Sequence, residues 1–298
     1  MKKILLCINP RAGVGKSKSK LFDIVASLND LDCEVSVSVI SPEHRPVEEI
    51  LRNHPSGFDV YACCGGDGTL NHFINAYKSL GMEQPIGYYP LGSTNDFART
   101  IWKHPDIRSI SRSIAEGECF CYDIGLFNAR YFNYVAAFGA FTDVSYSTEQ
   151  GFKNALGHMA YVVNGIASLP QSLSQNIALH YRTETTEHSG NYIFGSVSNT
   201  TSIGGFSLPF THSAELNDGL FEVLLVKAPA NVYELGEIVA ALSLGTINAD
   251  NPYIEVFQTD HICFDFEEPV SWTLDGEAGG AAEHTEIRVE KKAMKLMV

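Results

Sequence analysis

The sequence predicts a two-part chain: an α/β domain on a mostly parallel sheet with helices on both faces, then a β-rich, antiparallel second domain. Three observations carry this. Over the first 120 residues, short apolar runs at 4–8, 34–40, 59–64 and 85–90 alternate with amphipathic stretches at 17–29, 45–53 and 69–80, followed by a helical stretch near 107–116. Continuous apolar runs separated by helices mark parallel strands buried on both faces. Beyond about residue 120, β-rich segments are cut by Asn-Asp-Gly and Asp-Gly turns.

Taken in order, the run Ile4–Ile8 is five residues long, too short for a signal-peptide core, and reads as a buried first strand. It feeds the loop Asn9–Lys20, where Arg11, Lys16, Lys18 and Lys20 join Lys2 and Lys3 in a basic cluster. The ending Gly15-Lys16-Ser17 invites comparison with a P-loop, but that motif needs a glycine at the position of Pro10. A dinucleotide fingerprint fails too, because its third glycine would be Lys18. What remains is a glycine loop before a helix, surrounded by cations. An exposed basic loop is the plain alternative.

The third run ends in Gly65-Gly66-Asp67-Gly68-Thr69. Glycines let successive N–H groups face one concavity and hold phosphate oxygens; Thr69 is the expected N-cap of the helix that follows. Asp67 repels a phosphate unless Mg²⁺, a proton or a substrate hydroxyl lies between them. A favoured Asp-Gly turn is the plain alternative. The fourth run ends in Pro90-Leu91-Gly92-Ser93-Thr94-Asn95-Asp96-Phe97-Ala98-Arg99, with hydroxyls at a helix start, a second carboxylate and a cation. Ligands of parallel sheets bind at the carboxyl ends of strands, where these loops lie.

In the second part, Tyr131–Ala140, Asn176–Tyr181, Tyr192–Ser198, Leu220–Val226, Ile262–Phe266 and Ile287–Val289 read as strands, with helical patterns near 151–169 and 232–243. Asp123, inside the apolar run Cys119–Gly125, needs a partner such as a metal or Arg99. Asn217-Asp218-Gly219 and Asp275-Gly276 read by themselves as hairpin turns. The domains are expected at 1–125 and 126–285, with 286–298 completing the first.

Composition sets the limits. Of 298 residues, 45% are hydrophobic and 19% charged, which is a folded protein with a substantial core. A net charge of −14 repels nucleic acid and anionic lipid over the surface as a whole, so no nucleic-acid partner is expected and any phosphate site must be built locally. No stretch reaches the roughly eighteen apolar residues of a membrane span. The seven cysteines read as reduced thiols of a cytoplasmic protein, without Cys/His metal spacing; Cys119-x-Cys121 is too isolated for zinc.

Gly-Gly-Asp-Gly-Thr-Leu-Asn, Asn-Asp-Phe-Ala-Arg, Asn217-Asp218-Gly219-Leu220 and Leu274-Asp275-Gly276-Glu277, with Asn9-Pro10, Tyr122–Gly125 and Phe132–Gly139, resemble the diacylglycerol kinase catalytic family, closest to its soluble bacterial lipid kinases. The resemblance spans nearly the whole chain. It implies a phosphofructokinase-like first domain and a β-sandwich second domain holding the lipid and a structural metal. It implies Mg²⁺ and ATP, with Gly65, Gly66, Asp67, Gly68, Thr69, Leu70 and Asn71 around the phosphates and Asn9, Ser41, Gly92 and Thr94 nearby. Asp67, Asp96 and Asp123 would organise the catalytic Mg²⁺, and Glu277 would be the general base. Glu215, Asp218 and the Leu220 carbonyl would hold the structural Mg²⁺; Glu215 stands where the family pattern often has Asp.

The implied reaction is phosphorylation of a lipid hydroxyl, diacylglycerol to phosphatidic acid, with transient peripheral membrane contact. A sphingoid base, another glycerolipid or NAD as acceptor is the alternative, as is a nucleotide-binding regulator with little catalysis. The helical run Ala155–Val163 reads first as a core or domain-packing helix, with an acyl-chain channel as the alternative; the glycine-rich Asn199–Phe206 is a candidate for facing the acceptor, and a homodimer is among the open oligomeric states.

Overall fold

A computed structural model describes residues 1–41, 43–102, 106–139, 176–200, 202–203, 206–207, 215–244 and 251–298. The chain divides into one unit of Met1–Ile124 with Lys291–Val298 and a second of Gly125–Glu290. The expected helix at 151–169, with Ala155–Val163, lies outside the described residues, as do 201, 204 and 205 within Asn199–Phe206. Among the described residues no helix is long and apolar enough to cross a membrane.

In the first unit, strands β1 (Lys2–Ile8), β2 (Cys33–Val39), β3 (Val60–Gly65) and β4 (Ile86–Pro90) run parallel in the order β2-β1-β3-β4. Helices α1 (Lys16–Asn29), α2 (Val47–Asn53), α3 (Asp67–Ser79), α4 (Asp96–Ile101) and α5 (Ile107–Glu116) connect them and lead to β5 (Cys119–Phe127). Strand residues alternate faces. Ile4, Leu6, Ile8, Val60, Ala62 and Cys64 pack with Ile24, Leu28, Ile110 and Ile114 of α1 and α5. The alternate residues Leu5, Cys7, Tyr61 and Cys63 are also wholly buried, so the strands are apolar on both faces. Burial of each large apolar side chain contributes about 1.5–3 kcal/mol. Gly87 shows how tight the packing is: a Cβ there would meet Ile114 Cδ1 at 2.6 Å.

α3 begins two residues before its expected start. Gly66 is the N-cap and Asp67 the first helical residue, so Thr69 is not the cap. The Thr69 hydroxyl instead accepts a hydrogen bond from Asn9 Nδ2 at 2.9 Å. A carboxylate in the first turn complements the helix dipole, and the extended glycine before it needs no side-chain cap. α5 carries a regular capping box, with Asp106 accepting from Arg108 and Ser109 N–H groups.

The second unit contains β6 (Arg130–Phe132), β7 (Val135–Gly139), β8 (Ile177–Arg182), β9 (Glu187–Ser198), the two-residue β10 (Ser202–Ile203) and β11 (Phe206–Ser207), β12 (Phe221–Lys227), α6 (Val232–Leu244), β13 (Ile254–Thr259), β14 (His261–Leu274) and the first part of β15 (Glu277–Met297). Its pairings are antiparallel, but the expected sandwich of two sheets is replaced by a closed circuit. β14 pairs with β8 through Cys263–Phe266 and with β7 through Trp272–Leu274, while β9 pairs with the same two strands. The cause lies in β14: its register with β15 breaks between Asp265 and Val270, where Pro269 offers no N–H. An aromatic core fills the unit, with Phe138 and Trp272 ring centroids 4.7 Å apart and Phe264 and Phe266 beside them.

Candidate phosphate and metal sites

Parallel register puts the carboxyl ends of β1 to β4 on one edge of the first unit. Ser41 follows β2, Asn9 follows β1, Gly65–Asp67 closes β3, and Gly92–Asp96 follows β4. Asn9 is held by its own N–H to Cys64 O at 2.9 Å. Its Oδ1 accepts from Arg11 N–H at 3.0 Å, so its side chain ties the first loop to the third. Ser41 forms an isolated bridge with Arg45.

The β3 and β4 loops meet through bare backbone. Leu91 N–H donates to Gly65 O at 2.8 Å, and a Cβ on Gly92 would lie 2.5 Å from Gly66 Cα. A Cβ on Gly65 would lie 2.5 Å from Thr69 Cβ. These glycines are therefore required by close approach rather than by dihedral. Asn95, part of the quoted motif but given no role from sequence, holds the β4 loop: its Oδ1 accepts from Gly92 N–H at 2.8 Å and its Nδ2 donates to Gly92 O at 3.1 Å. At φ 55 it occupies the left-handed region that Asn tolerates. Its place in Ser-Thr-Asn-Asp before a helix was the available signal.

Two predicted carboxylates come together. Asp67 Oδ2 accepts the main-chain N–H of Asp96 at 3.2 Å, and Asp96 is 2% exposed. Tyr88 lies wholly buried beside them, its hydroxyl without a hydrogen bond among the described residues. Burial, then the charge of Asp67, pushes its phenol well up, with Cys63 and Asp96 adding to the effect. Asp123, at 0% exposure on β5, accepts from the main-chain N–H of Lys292, a donor absent from the expectations for this residue. The Phe97 and Tyr122 rings, 5.1 Å apart, pack α4 against β5 next to it. Asp67 and Asp96 adjoin and Asp123 stands on β5, and carboxylate oxygens such as theirs are the hard donors that Mg²⁺ takes.

Thr94 O accepts from Arg99 Nε at 3.0 Å. Asn71 and Leu70 point inward, and Leu70 N–H donates to Gly66 O at 3.0 Å. Leu70 thus secures the first turn of α3 rather than reaching its surface. The side chains of Val14–Lys18 lie outside the described residues.

In the second unit, Glu277 is half-buried and opposite Leu274 in the hairpin closed by Asp275 and Gly276, whose φ values are 51 and 84. Asp275 is 3% exposed and its carboxylate accepts from the N–H groups of Asn133, Tyr134 and Val135 at 2.6, 2.9 and 3.1 Å. Nothing local in the sequence signals this, because the donors come from a segment some 140 residues away. Asp218 is exposed and its Oδ1 accepts from Leu220 N–H at 2.9 Å, while Asp218 N–H reaches Glu215 O at 3.5 Å. Glu222, 4% exposed, has one oxygen on Gln258 and the other without a hydrogen bond among the described residues. Burial pushes its carboxyl up, and the Asp218 charge adds to this. An orphaned buried oxygen within the field of Asp218 fits a cation site there.

The family described as the diacylglycerol kinase catalytic domain matches residues 3–127. A diacylglycerol kinase of Staphylococcus saprophyticus is 32% identical over 279 residues, 94% of this chain and 90% of that protein. One from Bacillus subtilis is 28% identical over 285 residues, 94% of this chain and 91% of that protein. A crystal structure of a diacylglycerol kinase from Bacillus anthracis aligns with TM-score 0.75 at 18% identity, over 99% of this chain and 96% of that one. A second structure from that organism reaches 0.83 at 20% identity, over 99% and 95%. At those identities the structures speak for the fold, and the sequence relatives speak for descent. The chain belongs to the diacylglycerol kinase catalytic family and is a kinase of a lipid hydroxyl.

Proposed function

We propose that the chain transfers the γ-phosphate of ATP to the hydroxyl of diacylglycerol, giving phosphatidic acid and ADP. The observation that carries this reading is the strand-end edge of the first unit. There the Gly65–Gly66 turn meets Gly92, the Asn9–Thr69 hydrogen bond joins two loops, and Asp67 accepts from the Asp96 N–H at the start of α3. A helix N-terminus with close backbone approach suits phosphate oxygens. In this reading Gly65, Gly66, Gly68, Thr69, Asn71, Asn9, Ser41, Gly92 and Thr94 surround the nucleotide. Leu70 contributes by holding the turn.

Asp67, Asp96 and Asp123 would hold the catalytic Mg²⁺, which neutralises charge on the phosphates when bound. Glu277 accepts the proton of the lipid hydroxyl as its oxygen attacks the γ-phosphorus; the bridging P–O bond to the β-phosphate breaks and ADP leaves. Glu215, Asp218 and the Leu220 carbonyl would hold a second, structural Mg²⁺, supported by the orphaned oxygen of Glu222. Nucleotide work is assigned to residues 1–125 with the returning 286–298, and lipid and structural-metal binding to 126–285. The enzyme works in the cytoplasm, touching membranes peripherally and transiently.

The test is incubation of the purified chain with Mg²⁺, ATP labelled at the γ-phosphate, and a panel of diacylglycerol, monoacylglycerol, sphingosine and NAD. Label should appear in phosphatidic acid in the organic extract. Label confined to another acceptor, or to none, overturns the reading.

A further inference from the structure

We propose that His261, Cys263 and Glu286 form a binding site for a divalent transition-metal ion of the zinc kind, separate from the carboxylate sites above. His261 and Cys263 are two residues apart on β14 and so share a face of the strand. Antiparallel register sets Glu286 of β15 opposite Cys263 and Arg288 opposite His261. His261 Nε2 lies 2.8 Å from Glu286 Oε1 and 3.7 Å from Cys263 Sγ. The candidate ligand atoms of all three residues lie within 4.8 Å of one another.

Zinc binds nitrogen and oxygen at about 2.0–2.2 Å and thiolate at about 2.3 Å, so a tetrahedron spaces such donors about 3.4–3.6 Å apart. The sulfur–nitrogen pair already has nearly that spacing. The nitrogen–oxygen pair needs to open by roughly half an ångström, within the rotamer freedom of two half-exposed side chains. Imidazole, thiolate and carboxylate are the ligand types zinc takes, whereas Mg²⁺ takes oxygen alone.

Burial is graded to suit an ion arriving from solvent. Cys263 is 7% exposed and anchored in the sheet, while the His261 and Glu286 side chains are 33% and 34% exposed. Arg288 donates to Glu286 Oε1 from Nε at 3.0 Å and from a terminal nitrogen at 2.5 Å, which fixes the carboxylate's orientation. Oε1, the oxygen that faces His261 Nε2, is the one offered to the ion. An outer partner of this kind is a regular part of metal sites. Three protein ligands leave a fourth position to water. Cys263 releases its proton to solvent as the S–metal bond forms, so each bound ion frees one proton. The bound ion would tie β14 to β15 across the hairpin.

The test uses the full chain, freed of metal by chelation and titrated with Co²⁺ as a spectroscopic stand-in for zinc. A thiolate-to-cobalt charge-transfer band with tetrahedral ligand-field bands should saturate at a single equivalent and be erased by added Zn²⁺. It should survive in Cys119→Ser/Cys121→Ser, which removes the exposed Cys119 thiol and its half-buried neighbour, and disappear in Cys263→Ser. His261→Ala and Glu286→Gln should each raise the Co²⁺ Kd at least about tenfold, and they carry the test should Cys263→Ser fail to fold. No charge-transfer band, a band that persists in Cys263→Ser, or one lost with Cys119 and Cys121, overturns the proposal.

Discussion

Two Asp-Gly pairs in this chain do opposite things. Asp67-Gly68 follows a buried parallel strand and opens a helix; Asp275-Gly276 closes a two-residue hairpin with both residues at positive φ. Asp67 is half-buried at the strand-end edge and accepts from a neighbouring loop. Asp275 is sunk in its unit and holds the start of β7 through three main-chain N–H groups. The dipeptide therefore carries no role of its own. The donors that meet its carboxylate set its surroundings, and those donors depend on whether a helix or a strand follows.

The sharpest way to press this contrast is Glu277→Gln, which changes the residue after the scaffold turn without touching the turn. Phosphoryl transfer should fall by about two to four orders of magnitude, with ATP binding by calorimetry retained. Lost ATP affinity at unchanged turnover would assign Glu277 elsewhere. Next is Asp275→Ala, which leaves three buried N–H groups without an acceptor. A loss of about 3–5 kcal/mol in urea unfolding is expected; a change below about 1 kcal/mol would remove the structural role. Smallest is Gly276→Ala, where φ 84 costs a side chain about 1–2 kcal/mol. An unchanged melting temperature would contradict the positive φ.

Much of the first unit was legible because its strands are uninterrupted apolar runs: each of β1 to β4 lies within a residue or two of its expected place. Local chemistry failed where partners are distant. β13 was missed because Ile-Glu-Val-Phe-Gln-Thr carries a glutamate, yet Glu255 accepts from Tyr181 and Tyr192 and pairs with Lys227, and those partners make a strand of it. Of β15, Ile287–Val289 and the returning 286–298 were visible but the start was not, because Glu-Ala-Gly-Gly-Ala-Ala has no apolar alternation and takes its strand form from β14. In the candidate site, the Gly65–Gly68 turn and the Asp67 and Asp96 carboxylates stood out in the sequence, and the structure brings those two carboxylate residues together. Tyr88 and the anchoring of Asp275 gave no such sign, since burial and distant main-chain donors define them. The cysteines were expected to lack Cys/His metal spacing, and His261-x-Cys263 escaped that reading because its third donor, Glu286, sits on another strand.

The central claim is that Asp67 serves phosphoryl transfer rather than the fold. Asp67→Asn tests it most directly, since the amide keeps the shape and an acceptor for Asp96 N–H while removing the charge. Urea unfolding should match the wild type, and γ-phosphate transfer to diacylglycerol should fall at least about 100-fold. Turnover within about threefold of wild type would contradict the account.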